Sequence, residues 1–146
     1  MRSNQDDTRR ILRELGRAIR NLTRRSGSLD DGSSMTATQR LALFEVTDAG
    51  PLRLNDLAHR LGVSAPTASR AVDALVDLGY VERSVDEADR RALQIEATAA
   101  GRDRFTLGQD RAFTAFGPGT AVLTKDERNQ LVALLAKVND ELDRPV

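Results

Sequence analysis

The stretch Leu54–Gly79, LNDLAHRLGVSAPTASRAVDALVDLG, decides how the rest of the chain is read. Leu54, Leu57, Ala58 and Leu61 recur at the i, i+3, i+4, i+7 spacing of one buried helix face. Gly62 then supplies the permissive backbone of a sharp turn, and Val63 is placed to plug the corner. Ser64 has the chemistry of a helix N-cap. Pro66 falls in the first turn, where its missing N–H costs little. The second helix should run to about Leu78, with Gly79 as a left-handed stop. Two short helices around so tight a turn predict a helix-turn-helix, a unit that lays its second helix in a DNA major groove.

Residue types on the second helix agree with that geometry. Ala68, Val72, Leu75 and Val76 form one stripe and should pack inward. Ala65, Pro66, Thr67, Ser69, Arg70 and Asp73 occupy the remaining face. Small residues there allow close approach to base edges. Ser and Thr hydroxyls bond bases or phosphates, and Arg bonds guanine bidentately. The same small polar residues also serve as ordinary capping chemistry, so the second helix alone does not separate DNA reading from another use of the motif.

Composition narrows the classes. The 146 residues suit one domain with a real core, and 40% hydrophobic with 30% charged residues is the balance of a soluble globular protein. No apolar run approaches the ~20 residues of a membrane span, and Met1–Arg10 lacks an apolar targeting segment. A cytoplasmic protein is the expectation. The chain has no Cys and a single His, His59. Disulfides, thiol redox chemistry and Cys- or multi-His-ligated metal are therefore excluded. No cofactor is expected, and the chain shows no nucleophile–base spacing of an enzyme.

Formal net charge is zero, with 22 basic and 22 acidic residues. Bulk electrostatic attachment to nucleic acid is thus not expected. Lys125 and Lys137 are the only lysines; every other basic residue is Arg, the side chain suited to planar recognition of phosphate and guanine. DNA binding would have to come from a few well-placed arginines.

From about Asp6 to Arg25 the pattern is helical, with Ile11, Leu15, Ala18, Ile19 and Leu22 on one stripe. Arg9, Arg10, Arg13, Arg17, Arg20, Arg24 and Arg25 crowd the other face, which reads first as solvated and second as a ligand or phosphate surface. Residues 1–7 read as frayed. Ser26–Ser34 is a loop by composition. Thr36–Gln39 is a capping box, and Leu41, Ala42, Leu43, Phe44 and Val46 cover most of the following helix, predicting a central, buried element. Leu52–Arg53 is long enough only for an edge strand.

Beyond Gly79 the period changes to two. Val81 and Val85 share a face in Tyr80–Val85, and Leu93, Ile95 and Ala97 alternate in Ala92–Ala97. The linking segment, Asp86-Glu87-Ala88-Asp89-Arg90-Arg91, predicts the loop of a β-hairpin. Beside a recognition helix, such a hairpin is a wing that can place an Arg in a narrow minor groove. Asp86 or Asp89 is placed to pin a neighbouring Arg. With three acids and two bases, the loop also reads as a self-neutralised surface turn.

Thr98 caps another helix, expected to end near Phe116 because Gly117-Pro118-Gly119 follows. Thr124–Glu127 is a second capping box. Leu131, Leu134, Leu135, Val138 and Leu142 then recur at helical spacing, and Pro145 closes the chain. These terminal helices, 6–25 and 98–142, have no part in a reading unit complete within 52–97. A two-fold dimer would bury their stripes and set two recognition helices ~34 Å apart on DNA.

In this order the motifs resemble the MarR family of transcriptional regulators, over roughly residues 8–142. The resemblance rests on Leu57-Ala58, Leu61-Gly62-Val63-Ser64 and Thr67, then Leu75, Leu78-Gly79-Tyr80-Val81, Arg83, Asp86 and Asp89-Arg90-Arg91, with Thr98, Gly101, Leu123-Thr124 and Glu127 at the last helix starts. It implies a mainly α fold with a small β-hairpin wing, an α+β winged helix-turn-helix between N- and C-terminal dimerisation helices. It further implies a homodimer on a pseudo-palindromic double-stranded DNA operator, usually a repressor, often released by a small aromatic ligand. Carried over by position, Ser64, Ala65, Pro66, Thr67, Ser69 and Arg70 would face the major groove. Arg83 would meet phosphate and Arg90 the minor groove, while Asp89 and Arg91 brace the wing. Ala88 stands where many relatives have another Arg. The alternative function is a winged-helix protein–protein adaptor, motivated by the zero net charge.

Overall fold

The structure is a computed structural model describing residues 2–25 and 34–144. Six helices and three short strands follow in order: α1 (Arg2–Arg25), α2 (Ala37–Ala49), β1 (Leu52–Arg53), α3 (Leu54–Leu61), α4 (Ala65–Asp77), β2 (Val81–Val85), β3 (Leu93–Ala97), α5 (Ala99–Thr120) and α6 (Lys125–Leu142). The fold is mainly helical with one small antiparallel sheet, as expected. The chain divides into two compact units, one of residues 28–110 and the other of 1–27 with 111–146. Helix α5 runs from the first into the second. The loop expected at Ser26–Ser34 falls, except for Ser34, outside the described residues, as does Pro145. Among the described residues no helix is long and apolar enough to cross a membrane.

In the 28–110 unit, α2, α3 and α4 pack with the sheet around one core. The order is β1-β3-β2, with Leu52 opposite Ile95, and Val81, Arg83 and Val85 opposite Ala97, Ile95 and Leu93. Leu57, Leu75, Val46 and Val72 are its largest fully buried side chains. Each contributes about 1.5–3 kcal/mol by leaving water. The inward stripe of α4 is the expected one, Ala68, Val72 and Leu75, joined by Ala71 and flanked by the partly buried Val76.

The helix boundaries follow their local chemistry. Gly62 ends α3 at φ 64°, ψ 31°, with its N–H on His59 O at 3.1 Å. A left-handed residue there favours glycine. Both capping boxes form: Thr36 with Gln39, and Thr124 with Glu127. The Thr124 backbone N–H and hydroxyl hold the Glu127 carboxyl below its ordinary pKa.

Three expectations are corrected. Residues 2–7 are helical rather than frayed; Asp6–Arg9 and Asp7–Arg10 pairs stitch that first stretch on the surface. Helix α5 does not stop at Phe116 but continues through Pro118 to Thr120, forgoing the one i→i−4 bond that a residue without an N–H cannot make. Helix α2 is buried on one face only. Ala42, Leu43 and Val46 are inside, whereas Leu41 and Phe44 are exposed, and Phe44 meets Phe105 of α5 with ring centroids 5.6 Å apart.

The second unit has a different character. In α1, Ile11, Leu12, Leu15 and Ile19 are exposed, as are Leu131, Leu134, Leu135, Val138 and Leu142 in α6 and Phe113 in α5. The periodic stripes read from the sequence are present, yet a single chain leaves them uncovered.

Candidate nucleic-acid interface

The first turn of α4 is capped by Ser64, whose Oγ accepts the Thr67 N–H at 3.3 Å. Ser64 Oγ and Thr67 Oγ1 lie 2.9 Å apart, and Arg70 Nη2 reaches Thr67 Oγ1 at 3.4 Å. Capping thus runs on into a short polar chain that ends at a guanidinium. Ser64, Pro66 and Arg70 are exposed; Ala65, Thr67 and Ser69 are half-buried. With Ala68 and Ala71 sealed in the core, this turn offers solvent small groups, hydroxyls and one Arg.

Strands β2 and β3 form the expected hairpin. Only its inner half belongs to the core: Val81, Ile95 and Ala97 are buried, while the facing pair Val85 and Leu93 is exposed. The alternating pattern continues past the point where the sheet leaves its support, so the hairpin tip projects as a wing.

The loop at that tip is ordered by its acids. Asp86 N–H donates to Ala92 O at 3.0 Å and Ala92 N–H to Asp89 O at 2.9 Å. Asp86 Oδ1 accepts the Ala88 N–H at 2.9 Å, and Asp89 Oδ1 accepts the Arg91 N–H at 3.1 Å. Side chains that bond the backbone two residues on are the ordinary device of tight turns. Arg90 and Arg91 are exposed, and among the described residues neither side chain is ion-paired.

One expectation about this loop is corrected. Asp86 does not pin a neighbouring wing arginine. It is held by Arg53 of β1, whose Nε and Nη2 donate to Asp86 Oδ2 at 3.0 and 2.6 Å. Asp89 Oδ2 stands 3.9 Å from the same Nη2. The hydrogen bond from Arg53, then that from Ala88 N–H, holds the Asp86 carboxyl below its usual range, and the same bond to Asp86 raises Arg53. Arg83 is engaged too: its Nη2 lies 2.5 Å from Oδ1 of Asp73 on α4, so strand β2 and the second helix of the motif are tied by an ion pair. Sequence reading placed both Asp73 and Arg83 near the interface but not their pairing.

These residues can be set against known proteins. The MarR family profile matches residues 33–92. YwaE of Bacillus subtilis (strain 168), an HTH-type transcriptional regulator by name, is 30% identical over 104 residues, 68% of this chain but only 58% of YwaE. YfiV of the same organism, likewise an HTH-type transcriptional regulator by name, is 30% identical over 109 residues, 75% of this chain and 68% of YfiV. The chain belongs to the MarR family. A solved structure of Bordetella bronchiseptica BpsR, whose DNA binding is regulated by 6-hydroxynicotinic acid, superposes with a TM-score of 0.67 at 25% identity, over 88% of this chain and 91% of that one.

As a MarR-family transcriptional regulator, the chain is of a DNA-binding class. The MarR match covers the helix-turn-helix and the wing as far as residue 92. It therefore takes in Arg53, Asp73, Arg83 and Asp86, the four residues whose pairing the sequence did not disclose. The signal that could have found Arg53 was weak: one basic residue at the start of α3, 33 positions from its acid.

Proposed function

We propose that this MarR-family protein is a homodimeric repressor that reads a pseudo-palindromic operator and is released by a small aromatic ligand. The observation that carries the reading is the joint exposure, within one unit, of the Ser64–Arg70 turn and the Arg90–Arg91 loop, linked through Arg83 and Asp73. In this reading Ser64, Ala65, Pro66, Thr67, Ser69 and Arg70 enter the major groove. Arg90 reaches the minor groove. Arg83 meets phosphate while paired with Asp73, and Asp89 and Arg91 brace the loop. The regulation of BpsR by 6-hydroxynicotinic acid supports an aromatic acid as the effector class.

The second unit supports the dimeric part of this reading. Apolar stripes along both α1 and α6 are too much exposed surface for a soluble monomer. Sedimentation of the full chain should give a dimer, and Leu134→Glu with Leu135→Glu should shift it to monomer. Because both leucines are exposed in the single chain, these substitutions leave the protomer's own core intact. An unsubstituted chain that sediments as a monomer would contradict the homodimer.

A hydroxyl-radical footprint on the DNA upstream of its own coding sequence tests the function itself. Two protected half-sites with centres about one helical turn apart are expected. Absence of protection at low salt would favour the adaptor reading, for which zero net charge is the motive.

A further inference from the structure

We propose that Arg53 is a positioning residue for the wing: it holds Asp86 so that the loop carrying Arg90 and Arg91 is ordered before DNA arrives. The proposal rests on the DNA-reading function above. Sheet register places the pieces. Arg53 stands opposite Gln94 of β3, and Gln94 stands opposite Ser84 of β2. Cross-strand partners share a face of a sheet, so Arg53, Gln94 and Ser84 line the side away from Val81 and Ile95. Asp86 lies two residues beyond Ser84. The Arg53 side chain therefore spans the central strand, joining the two edge strands at the root of the loop.

What it grips is the residue on which the loop turns. Asp86 uses one carboxylate oxygen for two Arg53 donors and the other for the Ala88 N–H, while its own N–H closes the loop on Ala92 O. Arg53 also offsets the loop's excess of acid: three acids face two bases in residues 86–91, and Arg53 is the third base. Arg53 is the N-cap residue of α3, but a guanidinium has no acceptor for the free N–H groups of a helix start, so its donors are spent on Asp86.

A direct phosphate contact by Arg53 is the competing role, and the sign of one variant separates the two. If Arg53 acts through Asp86, Arg53→Gln and Asp86→Asn should each weaken operator binding about three- to fivefold, the scale of one exposed ion pair. The double variant should be no weaker than either single, Arg53→Lys should recover most of the loss, and the slope of log affinity against log salt should not change. Asp86→Asn keeps the acceptor for Ala88, so it removes charge without removing the turn. If Arg53 instead binds phosphate, Asp86→Asn should tighten binding, and Arg53→Gln should flatten the slope by about 0.9; either result overturns the proposal. Amide exchange of Ala88, Arg91 and Ala92 without DNA should quicken in both single variants at an unchanged melting temperature, and unaltered exchange also overturns it. Failure of the underlying reading looks different: the unsubstituted chain would form no complex with DNA, and the proposal would fall with it whatever the exchange rates show.

Discussion

Gly101→Ala is expected to destabilise the 28–110 unit by about 3 kcal/mol, a large part of the total stability of a small domain. A Cβ at Gly101 would sit 1.9 Å from the Tyr80 carbonyl oxygen and 2.9 Å from its carbon. Both are backbone atoms, so no side chain can swing aside. The start of α5 is seated on the turn that follows α4: Thr98 N–H donates to Tyr80 O at 3.0 Å, and Thr98 Oγ1 donates to Gly79 O at 2.6 Å while accepting the Gly101 N–H at 3.1 Å. Making room for one methyl separates these groups. Overpacking of this kind costs about 1–3 kcal/mol, and each hydrogen bond lost adds about 0.5–1.5 kcal/mol. Gly108 of the same helix is the control, because a Cβ there meets nothing within 4 Å. Gly108→Ala should be neutral or stabilise by up to about 1 kcal/mol, as Ala outranks Gly within a helix. Denaturant unfolding of the two variants checks both signs. Equal stability would mean that α5 does not rest on Tyr80.

Arg70→Ala should weaken operator binding about 10- to 100-fold, the discrimination carried by one bidentate guanine contact, without altering the fold. Arg70 is exposed and, among the described residues, its one side-chain partner, Thr67 Oγ1, is a long contact at 3.4 Å. Removing it therefore takes little from the free protein. Arg70→Lys should recover only part of the affinity, since an ammonium cannot match the planar fork of a guanidinium. A base-contacting Arg70 relaxes specificity at one operator position in each half-site, whereas a phosphate contact weakens all sequences alike. Titration of a set of single-base operator variants distinguishes these outcomes.

How much of this was legible depended on the range of each interaction. Helix α3 was read to the residue because Leu54, Leu57, Ala58 and Leu61 report one face and Gly62 one turn, all within nine positions. Ser64, Thr36 and Thr124 were equally clear, because a cap bonds a backbone N–H three residues on. The start of α4 and the loop between β2 and β3 are legible from such local signals. The loop pattern offers Asp86 or Asp89 as the acid that holds an Arg, but the Arg comes from another strand, and no local pattern encodes sheet register. Leu41 and Phe44 misled for a related reason: apolar residues all round α2 suggested full burial, whereas Phe44 lies on the surface against the Phe105 ring. In the terminal helices the stripes were visible, but periodicity shows only that a face is apolar and not what covers it.

The central claim is that a net-neutral chain reads DNA through a few placed arginines on α4 and the wing. A titration of the footprinted operator across a salt series, comparing the unsubstituted protein with Arg90→Ala, tests it most directly. The account predicts a log–log slope steeper than about −3, several phosphates at roughly −0.9 each, together with a loss of affinity in Arg90→Ala. A flat salt profile, or an Arg90→Ala variant that binds as tightly as the unsubstituted protein, would contradict it.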